Sequence, residues 1–326
     1  MGCGSLVALP LLGRAGLLGA LVLDDDASTV PLDARQVNLA VGAARQVAAA
    51  LESLLLSREA EAAARLEEEL RVAREIQTSL LPARLPQLPG WQIAAAWRSA
   101  RLVGGDFYDF WPLARGQGTG DRGQGAEGAQ RALLPELGFV IADVSDKGMA
   151  AALFMALSRS LVRAAALDGS PPATAIERAN RWITRDSESG MFVTLFYGML
   201  EPTSGRLRYT SAGHNPPLHY RVADGSFAEL RAPGIALGVL EEIKLHEAEV
   251  ALAPGDLLVC YTDGVTEAID EALQEFGVER LRALIAAQRA LGAEALVEAI
   301  TDAVSRHGQG QPPFDDVTLV VFKREA

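Results

Sequence analysis

Cysteine is nearly missing from this chain. Only Cys3 and Cys260 occur among 326 residues, too few for a disulfide framework, and no Cys/His spacing resembles a zinc site. Positive charge is also short. Lys and Arg together number 30 against 42 Asp and Glu, giving a net charge of -12, and a surface of that sign repels phosphodiester backbones. Nucleic acid is therefore not an expected partner. A long apolar run is lacking too: the stretch from Leu6 to Leu23 is broken by Pro10, Arg14, Gly13, Gly16 and Gly19 and has no basic leader, so it reads neither as a signal peptide nor as a membrane span. Met1-Gly2-Cys3-Gly4-Ser5-Leu6 lacks the Ser or Thr that myristoylation requires at its sixth position. No glycine-rich phosphate loop is found, which argues against nucleotide binding. These absences leave a cytoplasmic chain as the expectation, with no membrane partner.

What is present is enough apolar side chain, 49% of the residues, to bury a core, and a length that suggests two domains. Ser5–Pro10 and Gly16–Leu23 read as two short strands. Asp33 and Gln36 have the spacing of a capping box, and the chain from Ala34 to Leu81 is free of proline and rich in helix formers. Leu56, Glu59, Ala63, Leu66, Leu70, Ala73, Gln77 and Leu80 alternate three and four apart, which predicts a short coiled-coil seam and a homodimer through the linker helix. Pro82, Pro86 and Pro89 end that helix. From Trp91 onward, strands are expected at 92–96, 137–143, 191–200, 207–211, 218–222, 257–261 and 317–322. Helices are expected at 148–167, 173–185, 278–287 and 293–307. This hairpin-rich order predicts an α+β fold with largely antiparallel sheets. Residues 115–130, rich in Gly, Gln, Asp and Glu, read as a disordered insertion.

Four acidic motifs stand where an apolar strand meets a turn: Gly104-Gly105-Asp106-Phe107-Tyr108-Asp109, the segment ending at Asp143, Thr262-Asp263-Gly264, and Asp315-Asp316 before a strand. A carboxylate at the end of a buried strand is costly unless a cation receives it. Apart from Lys147 no basic residue is locally placed to do so at Asp143 or Asp263. Hard divalent ions such as Mg²⁺ or Mn²⁺, which prefer carboxylate, carbonyl and water, are the natural alternative. Cys260 cannot be the nucleophile of a Cys-x5-Arg phosphatase, because Thr266 stands at the arginine position.

The ordered set Val103-Gly104-Gly105-Asp106-Phe107-Tyr108-Asp109, Ala142-Asp143-Val144-Ser145-Asp146-Lys147-Gly148, Phe192-Val193-Thr194, Ser211-Ala212-Gly213-His214-Asn215-Pro216-Pro217, Thr262-Asp263-Gly264-Val265-Thr266-Glu267-Ala268 and Asp315-Asp316-Val317-Thr318 closely resembles the SpoIIE/RsbU class of PPM-type serine/threonine phosphatases. The resemblance covers Glu75 to Phe322. It implies a sandwich of two antiparallel sheets flanked by helices, with two Mn²⁺ or Mg²⁺ ions at one edge. Carried over, Asp106, Asp143, Asp263 and Asp315 are catalytic residues. The metal set is Asp106, Asp143, the Val144 carbonyl, Asp263 and one of Asp315 and Asp316, with Asp315 favoured. His214 and Arg101 are candidates for contact with substrate, His214 either as a general acid or as a loop-shaping residue. The implied substrate is a phosphorylated STAS-type anti-anti-sigma protein. Residues 1–56 resemble the C-terminal part of a GAF sensor domain, 57–82 form the coiled-coil linker, and 83–326 the phosphatase domain. A catalytically silent scaffold of the same fold and a small phosphate-ester hydrolase remain the alternatives.

Overall fold

The computed structural model describes residues 5–25, 33–113, 135–186, 190–309 and 313–325; the 115–130 stretch lies outside them. The chain divides into two compact units, Met1–Glu69 and Leu70–Ala326, with the boundary inside one helix. That division differs from the boundaries at 56 and 82 expected from sequence.

In the first unit, β1 (Ser5–Gly13) and β2 (Gly16–Asp25) form an antiparallel hairpin. The helix α1 (Ala34–Leu80) follows, and its start is the expected capping box. Gln36 N donates to Asp33 Oδ1 at 2.7 Å, and Asp33 N donates to Gln36 Oε1 at 2.9 Å. Leu11 packs on Ala44 and Ala48, small residues one turn apart that let the hairpin lie close.

The second unit continues with β3 (Trp91–Arg98), β4 (Phe107–Leu113), β5 (Glu136–Val144), α2 (Met149–Ala166), α3 (Pro172–Asp186) and β6 (Val193–Glu201). Then come β7 (Arg206–Ala212), β8 (Leu218–Arg221), β9 (Ser226–Glu229), β10 (Glu247–Ala251), β11 (Leu257–Tyr261) and the single turn α4 (Asp263–Thr266). The chain closes with α5 (Gly277–Ala287), α6 (Ala293–His307) and β12 (Val317–Arg324). Two five-stranded sheets result, ordered β10-β7-β6-β5-β4 and β3-β12-β11-β8-β9, and neighbouring strands within each pair antiparallel.

Strand alternation assigns the faces. In β12, Val320 and Phe322 join the core between the sheets, while Val317, Leu319 and Val321 join a second core with Leu281, Ile285, Leu296 and Ile300 of α5 and α6. The sheets meet directly where the rings of Phe139 and Phe322 lie 4.5 Å apart. On the outer face of the first sheet, α2 and α3 bury Phe154, Met155, Val162, Ile176 and Ile183. Helices therefore cover both sheets of an α+β sandwich, as expected.

Among the described residues two helices, α1 and α2, are long and apolar enough to cross a bilayer by length and composition. In α2 that apolarity is spent on the core against the sheet.

Three strands escape the sequence reading, and all three are sheet edges. The edge strand β4 is buried almost throughout, so it shows no alternation, and it contains Asp109 and Pro112. Proline is tolerated there because an edge leaves one row of N–H groups unpaired. The others, β9 and β10, are short, and β10 alternates Glu with Ala and Val on a solvated edge.

Candidate metal centre

The acidic residues come from the same end of both sheets. Asp106 immediately precedes β4 and Asp143 is the penultimate residue of β5, whereas Asp263 follows β11 by two residues and Asp315 and Asp316 precede β12. Turn chemistry holds these ends open: Asp146 and Gly148 both take positive φ, 73° and 88°, which turns the chain out of β5 and into α2. Gly264 is required by close approach, since a Cβ there would overlap the Asp316 carbonyl.

Burial and mutual repulsion mark the group electrostatically. Burial pushes the Asp143 carboxyl up to about 7, with the Asp263 carboxylate adding to the rise. Asp106, almost fully buried, lies well above the ordinary carboxylate range, first through burial and then through Asp143 and Asp316. Asp263 is raised by burial and by Asp315, and Asp316 mainly by burial. The cation beside them is Lys147, whose Nζ is 2.8 Å from Asp315 Oδ2 and donates to the Phe314 carbonyl at 2.9 Å.

Among the described residues, no three Asp, Glu, His or Cys side chains are drawn together closely enough to hold one ion. The donor chemistry nonetheless fits hard divalent cations. Asp143, Asp263 and Asp315 present carboxylate oxygen in a partly buried, negatively charged recess, and Gly105 lies against the Val144 carbonyl, where a Cβ would come within 2.9 Å of its oxygen.

Asp106 and Asp316 are differently occupied. Asp106 Oδ2 accepts from Thr262 Oγ1 at 2.7 Å and Thr318 Oγ1 at 2.6 Å, so hydroxyls of the second sheet hold a carboxyl of the first. Asp316 accepts from the backbone N–H groups of Ala100 at 2.8 Å and Gly105 at 2.6 Å, and more distantly from Asp106 at 3.3 Å. Both of its oxygens thus clamp the loop before β4. That geometry favours Asp315 over Asp316 as the residue facing the recess.

His214 is buried, and its Nδ1 lies 2.9 Å from Thr194 Oγ1. Burial lowers it to about 3, so the ring is neutral at neutral pH, with one nitrogen donating and the other accepting. The ring sits in the loop beside Thr194, whose hydroxyl donates to the Asp143 backbone carbonyl at 3.5 Å. Arg101 is exposed and lines a groove beside the carboxylates together with Arg98 and Lys147.

Sequence reasoning missed several supports of the site. Thr262 and Thr318 lie within the acidic motifs, but their spacing gives them no role. Asp109, in the first motif, is a buried anchor for α2: its carboxylate pairs with Arg159 at 2.9 Å and Arg163 at 3.0 Å. Gln77, assigned by its spacing to a coiled-coil seam, is instead buried. Its Oε1 accepts from Gly104 N at 3.0 Å and its Nε2 donates to the Gly104 carbonyl. The end of α1 is therefore fastened to the loop that Asp316 clamps. Gln77→Ala would leave both backbone groups of Gly104 unpaired, and chemical denaturation should show a loss of roughly 2 kcal/mol. An unchanged midpoint would mean that water replaces the amide.

The Stage II sporulation protein E (SpoIIE) family model matches residues 135–325. Protein IcfG of Synechocystis is 32% identical over 78% of this chain, and the phosphoserine phosphatase RsbU of Bacillus subtilis is 28% identical over 80%. The chain spans 41% of the first and 71% of the second. Among solved structures, the SiaA PP2C domain of Pseudomonas aeruginosa superposes with a TM-score of 0.66 at 21% identity, covering 80% of this chain and 98% of that one. The RsbU and RsbW domains of a Mycobacterium tuberculosis protein give 0.59 at 25% identity, covering 76% and 63%.

Proposed function

The chain belongs to the SpoIIE family, and from that premise we propose that it is a metal-dependent protein phosphatase acting on phosphoserine or phosphothreonine. The observation that carries the reading is the convergence of strand-end carboxylates that raise one another's pKa with Lys147 as the cation beside them. Asp143, Asp263, Asp315 and the Val144 carbonyl would hold two Mn²⁺ or Mg²⁺ ions. When bound, such a pair supplies an activated water and neutralises charge building on the phosphoryl oxygens.

The remaining roles fall to the chain itself. Asp106, fixed by Thr262 and Thr318, lies beside Asp143 and orients it. Asp316 holds the Gly104-Gly105 loop against Val144. Lys147 sets the Asp315 carboxylate. His214, buried beside Thr194, shapes the loop there.

The substrate that best fits the family is a small STAS-type anti-anti-sigma protein phosphorylated on serine, dephosphorylated in the cytoplasm as part of partner switching. Residues 1–56 would be the end of a GAF-like input domain, 57–82 a linker through which two copies pair, and 83–326 the catalytic domain. Leu66 is 58% exposed on α1, which suits a dimer seam ahead of Gln77. Leu66→Ala with Leu70→Ala is expected to shift the chain to monomer in sedimentation and to change turnover; a dimer that survives both substitutions removes the linker from the account. The reading itself is tested by comparing a phosphorylated STAS protein with a chromogenic phosphate ester. A protein phosphatase should favour the former in kcat/KM by about a hundredfold or more. Equal values would return the small-ester hydrolase, and no hydrolysis of either the silent scaffold.

A further inference from the structure

Beside the carboxylate cluster lies a cavity of about 650 Å³. Ile269, Val304 and Phe314 give it an apolar lining, and the ring of Phe314 is 73% exposed, an unusual cost for so large an apolar group. Arg98, Arg101 and Lys147 add three cations to a chain whose net charge is -12. Among the described residues neither Arg98 nor Arg101 is drawn into an ion pair. Asp270 and Glu271 also border the cavity, but Asp270 turns its Oδ1 to its own loop, accepting from the N–H groups of Ala272 and Gln274, both at 2.9 Å.

The cavity adjoins the candidate metal centre through two adjacent residues. Phe314 presents its ring to the groove, and the next residue, Asp315, presents its carboxylate to the recess. Lys147 spans both, with Nζ 4.2 Å from the centroid of the Phe314 ring and 2.8 Å from Asp315 Oδ2. Anything whose phosphate sits at the carboxylates has its neighbouring residues beside this groove.

Resting on the phosphatase reading, we propose that the groove docks the segment flanking the phosphoserine of the substrate protein, and that it selects a segment combining an apolar side chain with acidic neighbours. The apolar residue seats among Ile269, Val304 and Phe314. The acidic ones face Arg98, Arg101 and Lys147, where exposed guanidinium groups suit carboxylates. Affinity for the protein substrate thus comes from a surface that a small phosphate ester is too short to reach.

The test is fluorescence anisotropy with labelled peptides bearing a non-hydrolysable phosphonate in place of the phosphoserine, in Mn²⁺ buffer. One peptide carries Glu and Leu on each side of the phosphonate, and its partner carries Gln and Ser at those positions. The intact chain should bind the first about tenfold or more tightly than the second, the ratio expected for burying one leucine. Ile269→Ser should erase most of that preference and Arg98→Glu should erode it. Equal binding of the two peptides, or a preference that survives both substitutions, overturns the groove. A serine in place of the phosphonate reports separately on the metal centre. A Glu/Leu preference with no gain from the phosphonate keeps the groove and sinks the phosphatase reading; a phosphonate gain without the preference does the reverse.

Discussion

In metal-free buffer at pH 8, Asp143→Asn melts at a higher temperature than the unsubstituted chain. The reason is linkage. The native Asp143 carboxyl is raised to about 7 by burial and by Asp263, against an unfolded value of roughly 3.9. Between those values the native state holds more protons than the unfolded one, so stability falls as pH rises from about 4 through about 7, and the penalty is complete above that. Three units correspond to an upper bound of roughly 4 kcal/mol, or about 8–16 °C for a unit of this size. Asparagine carries no such penalty, so its advantage should shrink as pH falls and vanish near pH 4. Saturating Mn²⁺ should invert the order, because binding to the native state stabilises by mass action and needs the carboxylate. A variant less stable at every pH, with or without metal, would mean that Asp143 is a structural residue rather than a ligand held ready.

The second large effect is expected at Asp109. Asp109→Ala leaves the guanidinium groups of Arg159 and Arg163 without the carboxylate that joins α2 to β4, and Arg159 is nearly buried. Breaking a buried pair by removing one partner costs about 3–5 kcal/mol, and thermal denaturation should show a fall of roughly 10 °C. Because α2 begins five residues after Val144, the same variant should weaken Mn²⁺ affinity in calorimetry while Asp109→Asn, which keeps an acceptor, loses less. A full-strength metal site in a destabilised Asp109→Ala chain would separate the anchor of α2 from the centre.

How much of this was legible in the sequence follows from what each residue answers to. The central strands β5, β6, β11 and β12 announced themselves as apolar runs because both faces are buried. The edges β4, β9 and β10 did not, since one is buried without alternation and the others are short and polar. The carboxylates were legible because an acid at the end of an apolar strand is a local contradiction, visible in a single segment. Their supports were not. Thr262 and Thr318 reach Asp106 across sequence separations of 156 and 212 residues, and no local pattern encodes such a meeting. Gln77 shows the opposite failure: a correct helical period assigned it to a seam, while the folded domain claimed it for Gly104. Nor did any local pattern show what engages Asp316: the backbone donors of Ala100 and Gly105 come within its reach only in the folded turn before β4.

The most direct measurement is phosphate release from a serine-phosphorylated STAS protein, with and without millimolar Mn²⁺, for the intact chain and for Asp143→Asn. The account predicts release that requires the metal and falls by about a hundredfold to a thousandfold in the variant, as expected when a group acting in the reaction's electrostatics is lost. Release that proceeds without metal, or that survives the loss of the Asp143 carboxylate, would contradict it.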